Sequence, residues 1–259
     1  GEGRDWPDNP ERFAALSWAA REIANGLVAD WQPDLVHAHD WQGGLAPYYI
    51  ARSPAADRVK TILTIHNIAF QGLTAGDRRA ALRIERGDFH PGALEYFGNV
   101  SALKAGLVFA DKLTTVSPTY ARELMTPEFG MGLEGVLRDR RADLSGILNG
   151  IDTDVWNPAK DPLVQTYKTP RGKPANKARL RADFGLPDSD GPLCVVVSRL
   201  TGQKGLDLLL EALPALTDRG GQLALLGSGD PSLEAAFQSA AAHPNVAVQI
   251  GYNEALSHQ

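Results

Sequence analysis

Two basic side chains, Arg199 and Lys204, occur in a glycine-containing segment at residues 198–205. The apolar run before it, 193–197, is short and β-branched, as in a buried parallel strand. Leucines spaced three and four residues apart follow over 206–216 and predict a helix. Free N–H groups and the positive end of a helix dipole attract anions at such a junction. The segment therefore predicts a site for an anion, although it is neither a P-loop nor a dinucleotide-binding glycine turn.

Polar residues also follow predicted strands in the first half of the chain. Asp40, His66 and Asn149 each stand directly after a segment that is predicted to be a strand. If these segments are strands of one parallel sheet, Asp40 and His66 project from the same edge, where such sheets bind ligands. Polar groups in one half and two cations in the other suit an enzyme that handles a sugar and a diphosphate.

Three of these patterns have a second interpretation. Residues 37–40, His-Ala-His-Asp, could ligate a metal at a strand end, or the histidines could tie down neighbouring loops. Asn149-Gly150 is also a common turn dipeptide. The segment Gly227-Ser228-Gly229 could bind a nucleotide through its backbone or only form a tight turn.

Strands alternate with helices along the chain, which predicts an α/β protein with doubly wound parallel sheets. The first helix, at 11–31, is expected to turn Leu16 and Leu27 toward the core. Residues 68–100 show no clean period, and a stretch of this length is usually functional or mobile. A connection rich in proline and charge places the division between two domains, 1–155 and 156–259. Strands are predicted at 35–39, 60–65, 112–116, 145–148, 193–197, 222–226 and 246–250, and the later helices at 44–51, 101–110, 118–124, 176–184, 205–216 and 231–241.

The composition excludes several classes of protein. The chain has 259 residues, of which 43% are hydrophobic and 22% charged, as in a soluble globular protein. Its net charge of -5 argues against nucleic acid or an anionic membrane as the main partner. The sequence has no apolar run of transmembrane length and one cysteine, Cys194, so we expect a cytoplasmic protein without disulfides.

Several motifs, in order along nearly the whole chain, resemble those of bacterial glycogen synthase and plant starch synthase. The segment at 37–47 reads His-Ala-His-Asp-Trp-Gln-Gly-Gly-Leu-Ala-Pro, and the segment at 64–72 reads Thr-Ile-His-Asn-Ile-Ala-Phe-Gln-Gly. The other matching segments lie at 104–107, 115–123, 148–158 and 198–207, with Leu-Leu-Gly-Ser-Gly-Asp-Pro and Ile-Gly-Tyr-Asn-Glu nearer the end.

The resemblance implies a GT-B fold, in which two Rossmann-like domains face a cleft, here with both domains incomplete. It implies transfer of glucose, with retention, from ADP-glucose to the non-reducing end of an α-1,4-glucan. ADP-glucose is a co-substrate, and no metal or other cofactor is expected. Residues 1–155 would belong to the acceptor-side domain and 156–259 to the nucleotide-sugar domain.

The resemblance also implies roles for individual residues. Arg199 and Lys204 would bind the donor's diphosphate and stabilise the charge that grows as ADP leaves. Asp40 and His66 would act at the sugar and support positive charge at its anomeric carbon. The expected substrate-binding residues are Asn149, Trp41, Gln71, Gly227, Ser228 and Gly229.

Two family motifs are missing from the sequence, an opening Lys-x-Gly-Gly loop and a closing Glu-x-x-Cys-Gly-Leu stretch. We therefore expect an internal fragment with little or no activity of its own. Three alternatives stay open: a GT-B transferase that uses UDP-glucose, a metal-dependent hydrolase built on His37, His39 and Asp40, and a non-catalytic glucan-binding fragment. Plastid location, acceptor length, oligomeric state and regulation also stay open.

Overall fold

The structure, a computed structural model, describes residues 6–259. The chain divides into two compact units, Gly1–Gly150 and Ile151–Gln259. The sequence placed this division between residues 155 and 156, within the same connection. None of the helices in the described chain is long and apolar enough to cross a membrane.

The first unit is built on a parallel sheet of four strands, in the order β1-β2-β6-β7. A small antiparallel sheet, in the order β3-β5-β4, lies in the long segment that showed no period in the sequence. The elements of this unit are α1 (Asn9–Ala24), β1 (Leu35–His39), α2 (Asp40–Gly43), α3 (Leu45–Ala51), β2 (Lys60–Ile65), β3 (Leu73–Ala75), β4 (Glu95–Tyr96), β5 (Asn99–Ser101), α4 (Ala102–Phe109), β6 (Lys112–Thr115), α5 (Pro118–Glu123), α6 (Glu134–Asp139) and β7 (Leu144–Gly146).

The second unit has a three-stranded parallel sheet in the order β10-β9-β8. The predicted strands at 193–197 and 246–250 are confirmed. Its elements are α7 (Lys173–Phe184), β8 (Leu193–Val197), α8 (Leu206–Asp218), β9 (Gln222–Gly227), α9 (Pro231–Ala240), β10 (Val246–Ile250) and α10 (Glu254–His258).

Helix α1 is shorter than the sequence predicted and turns a different face inward. It ends at Ala24, and Gly26 then takes a left-handed φ of +99°. Leu16 and Leu27 are 58% and 68% exposed, so their expected place in the core is wrong. The side chains that α1 buries are Ala14, Ser17 and Ala24, because small residues let one helix approach another closely.

Glycine contacts hold α4 close to the segment that joins α2 and α3. A Cβ on Gly44 would lie 2.2 Å from the carbonyl oxygen of Ala102, and one on Gly106 would lie 2.8 Å from Leu63 Cδ2. Leu63, like Leu103 on α4, is fully buried in the same cluster. This close approach fixes α2, which begins at Asp40, against the core.

Two buried polar side chains fasten the irregular segment before β5. Asp88 accepts hydrogen bonds from Tyr48 Oη at 2.9 Å and from Arg52 Nη2 at 2.6 Å. Lys104 on α4 donates from Nζ to the carbonyls of Pro91 and Glu95, both at 2.6 Å. Burial lowers the pKa of Lys104. No regular element could be predicted for this segment from the sequence, because side chains distant in sequence fix its shape.

We predict that Gly44→Ala destabilises the first unit by about 1–3 kcal/mol, because the added methyl group overlaps the Ala102 carbonyl. The backbone of Gly44 is helical, with φ at -60°, so the cost is steric rather than conformational. Gly135→Ala is the matched control: nothing lies within 4 Å of its added Cβ, and alanine favours helix α6. Urea unfolding should give a lower midpoint for the first variant and an unchanged or higher midpoint for the second. Equal midpoints would contradict the packing argument.

We predict that Asp88 contributes stability that is lost in acid. Hydrogen bonds from Arg52, against the effect of burial, hold the pKa of Asp88 below its usual value. The unfolded chain therefore binds this proton more readily, so stability is present above about pH 4 and falls as pH drops through the folded pKa.

Asp88→Asn should lower the free energy of unfolding by about 1–2 kcal/mol at pH 7, since Arg52 is partly exposed. It should also flatten the acid limb of the stability curve measured by urea unfolding. Asp57→Asn removes an exposed carboxyl of the same unit and serves as the control. An acid limb as steep in Asp88→Asn as in the original chain would refute the assignment.

Candidate active site

The structure brings Asp40 and His66 together at the carboxyl ends of β1 and β2. These strands pair in parallel with His39 opposite Thr64, so the residues that follow them are neighbours. Asp40 Oδ1 accepts hydrogen bonds from the backbone N–H groups of His66 at 2.7 Å and Asn67 at 3.3 Å. Asp40 has a left-handed φ of +49°, a conformation that aspartate tolerates better than most residues. One carboxylate thus fixes the point where both strands end.

The three histidines at this edge form a stack. The rings of His37 and His39 are 4.3 Å apart, and His39 Nδ1 lies 3.0 Å from His66 Nε2. His37 Nε2 lies 2.6 Å from Thr64 Oγ1. Burial, followed by the charges of His39 and His66, lowers the pKa of His37. The neutral form of His37 is therefore favoured.

Each of the three histidines takes part in a hydrogen bond at this edge. Across residues 6–259, no group of three or more His, Cys, Asp or Glu side chains could hold a metal ion. His37 bonds to a threonine, and His39 and His66 bond to each other. The observed bonds fit the loop-fastening interpretation of these histidines.

Trp41 supports the loop that carries His66. Its ring is packed edge to face with Phe13, with centroids 4.8 Å apart. A Cβ on Gly72 would lie 2.3 Å from Trp41 Cε3, so glycine allows the end of the loop to rest on the indole. The structure therefore places Trp41 against apolar groups, beneath residues 66–72.

Gln71 is buried and points toward a turn that the sequence did not single out. Its Nε2 donates to the carbonyl of Met131 at 3.1 Å, and Tyr96 Oη donates to the same oxygen at 2.6 Å. Gln71 Oε1 is buried and has no hydrogen-bond partner within the described residues. Met131 stands between Gly130 and Gly132, and these flanking glycines were the only sequence signal for the turn.

Asn149 follows β7 in an exposed segment. The last ladder bond of this strand runs from Ile147 N to Thr115 O at 2.7 Å. No hydrogen bond connects Asn149 to Asp40 or His66 in the part of the chain that the structure describes. The geometry thus assembles two of the three expected sugar-side residues. The third, Asn149, follows β7, which β6 separates from β2 in the sheet.

In the second unit, Arg199 and Lys204 lie between β8 and α8, as the sequence predicted. Lys204 ends a 3-10 turn, and Gly205 has a left-handed φ of +65° just before the helix begins at Leu206. Both basic side chains are exposed, and neither forms a hydrogen bond or ion pair with another described residue. The first turn of α8 has no side-chain cap, although it contains Asp207. Two uncompensated cations therefore stand at a helix N-terminus, where an anion is stabilised.

The loop after β9 lies against this basic loop because two of its residues are glycine. A Cβ on Gly227 would lie 2.0 Å from the Ser198 carbonyl oxygen, and one on Gly229 would lie 2.3 Å from that of Leu200. Leu200 N also donates to the carbonyl of Ser228 at 3.0 Å. Close packing between these segments is therefore enough to explain why residues 227 and 229 are glycine, and a bound ligand is not needed to explain them.

The N-terminus of α9 is already occupied by carboxylates. Asp230 Oδ1 accepts from Ser232 N at 2.7 Å, and Glu234 Oε1 accepts from Gly229 N at 2.7 Å. Bonds from Ser232 lower the pKa of Asp230. Of the two adjacent strand-end loops, the one with Arg199 and Lys204 is therefore the better site for an external anion.

The chain is similar to known proteins along its whole length. The family model for the starch synthase catalytic domain matches residues 1–139. Glycogen synthase of Paracoccus denitrificans (strain Pd 1222) is 62% identical over 259 residues, all of this chain and 54% of that protein. Glycogen synthase of Jannaschia sp. (strain CCS1) is 57% identical over 258 residues, 99% of this chain and 54% of that protein. The chain thus spans about half the length of these relatives.

Two solved structures show the same architecture. The catalytic domain of starch synthase IV from Arabidopsis thaliana, bound to ADP and acarbose, matches with a TM-score of 0.85 at 34% identity, over 98% of this chain and 55% of that one. Anabaena HepE, in complex with UDP and glucose, matches with a TM-score of 0.52 at 14% identity, over 95% of this chain and 52% of that one. Both are GT-B glycosyltransferases, and the parallel-sheet units of this chain have that fold. The family match covers more than half of the chain, so the chain belongs to the starch synthase catalytic domain family.

Proposed function

We propose that the chain is part of a glycogen synthase that transfers glucose, with retention, from ADP-glucose to the non-reducing end of an α-1,4-glucan. The observation that carries this proposal is the 62% identity with a glycogen synthase over all 259 residues. The starch synthase that matches at 34% identity was solved with ADP and acarbose, which supports the same classes of substrate here. The cytoplasmic location expected from the single cysteine is part of the proposal.

On the donor side, Arg199 and Lys204 bind the diphosphate of ADP-glucose. Their side chains have no carboxylate partner in the described residues, so their charge is available to a ligand. As the bond from the anomeric carbon to the diphosphate breaks, its electron pair leaves with ADP. The two cations bind the growing negative charge more tightly than they bind the diphosphate of the intact donor. Ser228, between the close-packed Gly227 and Gly229, lies on the nucleotide side of the same unit.

On the sugar side, Asp40, His66 and Asn149 hold hydroxyl groups and stabilise the positive charge that develops at the anomeric carbon. The hydrogen bonds from the His66 and Asn67 N–H groups fix the Asp40 carboxylate in position. Asp40 fixes the start of the loop from His66 to Gly72, and Trp41 and Gln71 hold its end. We assign the acceptor side to the first unit and the donor side to the second.

We predict that this chain binds ADP without metal and that an Arg199→Ala/Lys204→Ala double variant binds it at least tenfold more weakly, about 1.4 kcal/mol. The reason is the loss of the only two cations on the loop after β8. Calorimetric titration of ADP, and separately of UDP, into the chelator-treated chain provides the measurement. An Arg219→Ala/Lys168→Ala double variant removes the same charge from other exposed positions of this unit and should bind ADP as the original chain does.

Each departure from this result has a definite meaning. Equal loss of ADP binding in both double variants would make the effect one of net charge and would contradict the assigned site. Tighter binding of UDP than of ADP would favour a UDP-glucose transferase. A folded chain that binds neither nucleotide would overturn the proposed donor site.

We predict that Asp40→Asn and Asp40→Ala separate the structural role of this carboxylate from its role toward the sugar. Asparagine keeps an acceptor for the two N–H groups and tolerates a positive φ. The free energy of unfolding of Asp40→Asn should therefore differ from that of the original chain by less than about 1 kcal/mol. Alanine loses both hydrogen bonds and is strained at this φ, so Asp40→Ala should lower the free energy of unfolding by about 1–3 kcal/mol.

Maltoheptaose binding should weaken about tenfold in Asp40→Asn, because a charged acceptor forms the stronger hydrogen bond to a hydroxyl group. Urea unfolding and calorimetry measure the two effects. Asp77→Asn, which neutralises an exposed carboxyl of the same unit, is the control. Unchanged maltoheptaose binding in Asp40→Asn would leave Asp40 with a structural role alone.

A further inference from the structure

An exposed apolar patch lies on the first unit at Tyr96, Phe97 and Met131. Phe97 is 81% exposed and Met131 is 49% exposed. Tyr96 connects them: its ring centroid is 4.7 Å from that of Phe97, and its Oη donates to the Met131 carbonyl at 2.6 Å. Single exposed apolar side chains are common on protein surfaces, so exposure alone assigns no role to this patch.

The backbone of the patch is unusual. Phe97 has a φ of +47° and Met131 a φ of +50°, and each is followed by a glycine that is also left-handed, Gly98 at +82° and Gly132 at +76°. A bulky residue in this region costs about 1–3 kcal/mol and persists only where its surroundings impose it. Phe97 and Met131 therefore keep a costly backbone conformation that neighbouring groups must impose.

Buried polar side chains impose this backbone. Gln71, only 7% exposed, donates to the Met131 carbonyl. Lys104, also 7% exposed, donates to the Glu95 carbonyl next to Tyr96. The Glu95 carboxylate accepts from Gly98 N at 2.6 Å and closes the turn that carries Phe97. Two buried polar side chains thus fix a surface on which Phe97 and Met131 are exposed, while the half-buried Tyr96 also packs against the core of the unit.

The patch is continuous with the candidate sugar site through the loop from His66 to Gly72. Asp40 fixes the start of this loop through the His66 N–H group. Gln71, near its end, holds the turn of Met131. A ligand that extends from His66 along this loop therefore reaches the patch.

We propose that Tyr96, Phe97 and Met131 bind the acceptor glucan by packing against the apolar faces of its glucose units. This inference rests on the proposed function and extends its acceptor site. A pyranose ring exposes C–H groups on its faces, which suit aromatic and thioether side chains. The carboxylate of Glu95, the residue before Tyr96, accepts a hydrogen bond from Gly98 N, which suits an uncharged polymer. Three side chains also provide far less area than a stable protein interface of about 1,000 Å² needs.

The test uses Phe97→Gly and Met131→Gly in this chain. Glycine removes the side chain and also relieves the left-handed backbone, so the thermal midpoint should stay unchanged or rise. Calorimetry should show maltoheptaose binding weakened about fivefold or more in each variant, in the range expected for lost aromatic packing, with ADP binding unchanged. Trp31→Ala removes an exposed aromatic side chain elsewhere on the same unit and should leave both affinities unchanged.

The outcomes separate this inference from the proposed function. If the original chain binds ADP and maltoheptaose and both glycine variants bind them equally well, the patch has no role and the proposed function stands. Binding of ADP without binding of maltoheptaose also overturns the inference. A folded chain that binds neither ligand overturns both. Self-association in sedimentation velocity that Phe97→Gly abolishes would make the patch a contact between copies of the chain and would refute the proposal.

Discussion

The hydrogen bonds from the His66 and Asn67 N–H groups to the Asp40 carboxylate are the constraint on which the first unit's site depends. They require that β1 and β2 end at the same level, which their parallel register provides. They also require the chain to turn from strand to helix at Asp40 itself, with a left-handed φ. Close contact between Gly44 and α4 holds that helix against the core. A shift of either strand by one residue would exchange its buried and exposed faces and separate these groups.

The second unit also brings the ends of two parallel strands together, but the loops that follow these strands differ in how their charged groups are paired. Two loops follow adjacent parallel strands, and glycines at 227 and 229 let them touch. In the helix after the second loop, Ser232 N donates to Asp230, and Glu234 accepts from Gly229 N in the loop itself. The helix after the first loop has no such cap, and the two cations before it have no partner in the described residues. The two neighbouring strand ends have the same topology but differ in their capacity to bind an anion. Carboxylates of the chain already accept hydrogen bonds at the loop after β9, whereas the two cations of the loop after β8 have no partner in the described residues.

The sequence predicted what depends on local pattern and missed what depends on distant contacts. Five-residue apolar runs between turn signals predicted β8 and β10 with their correct bounds. The end of α1 was wrong, because apolar residues continue past Gly26 and suggested a longer helix. The positions of Asp40 and His66 at strand ends could be predicted, since parallel strands share an edge. The turn at Met131 could not, since Gln71 and Tyr96, distant in sequence, fix it.

The distribution of charge between the units bears on the proposed reaction. The sugar-side residues of the first unit include one carboxylate, Asp40, and burial favours the neutral form of the nearby His37. The loop of the second unit provides two cations in a chain whose net charge is -5. Heterolysis of the bond between glucose and diphosphate creates positive charge on the sugar and negative charge on the leaving group. An acidic chain would oppose an anionic donor at most of its surface, so in the proposed reaction the local attraction comes from Arg199 and Lys204. In the same proposal, the carboxylate of Asp40 stabilises the positive charge that develops on the sugar.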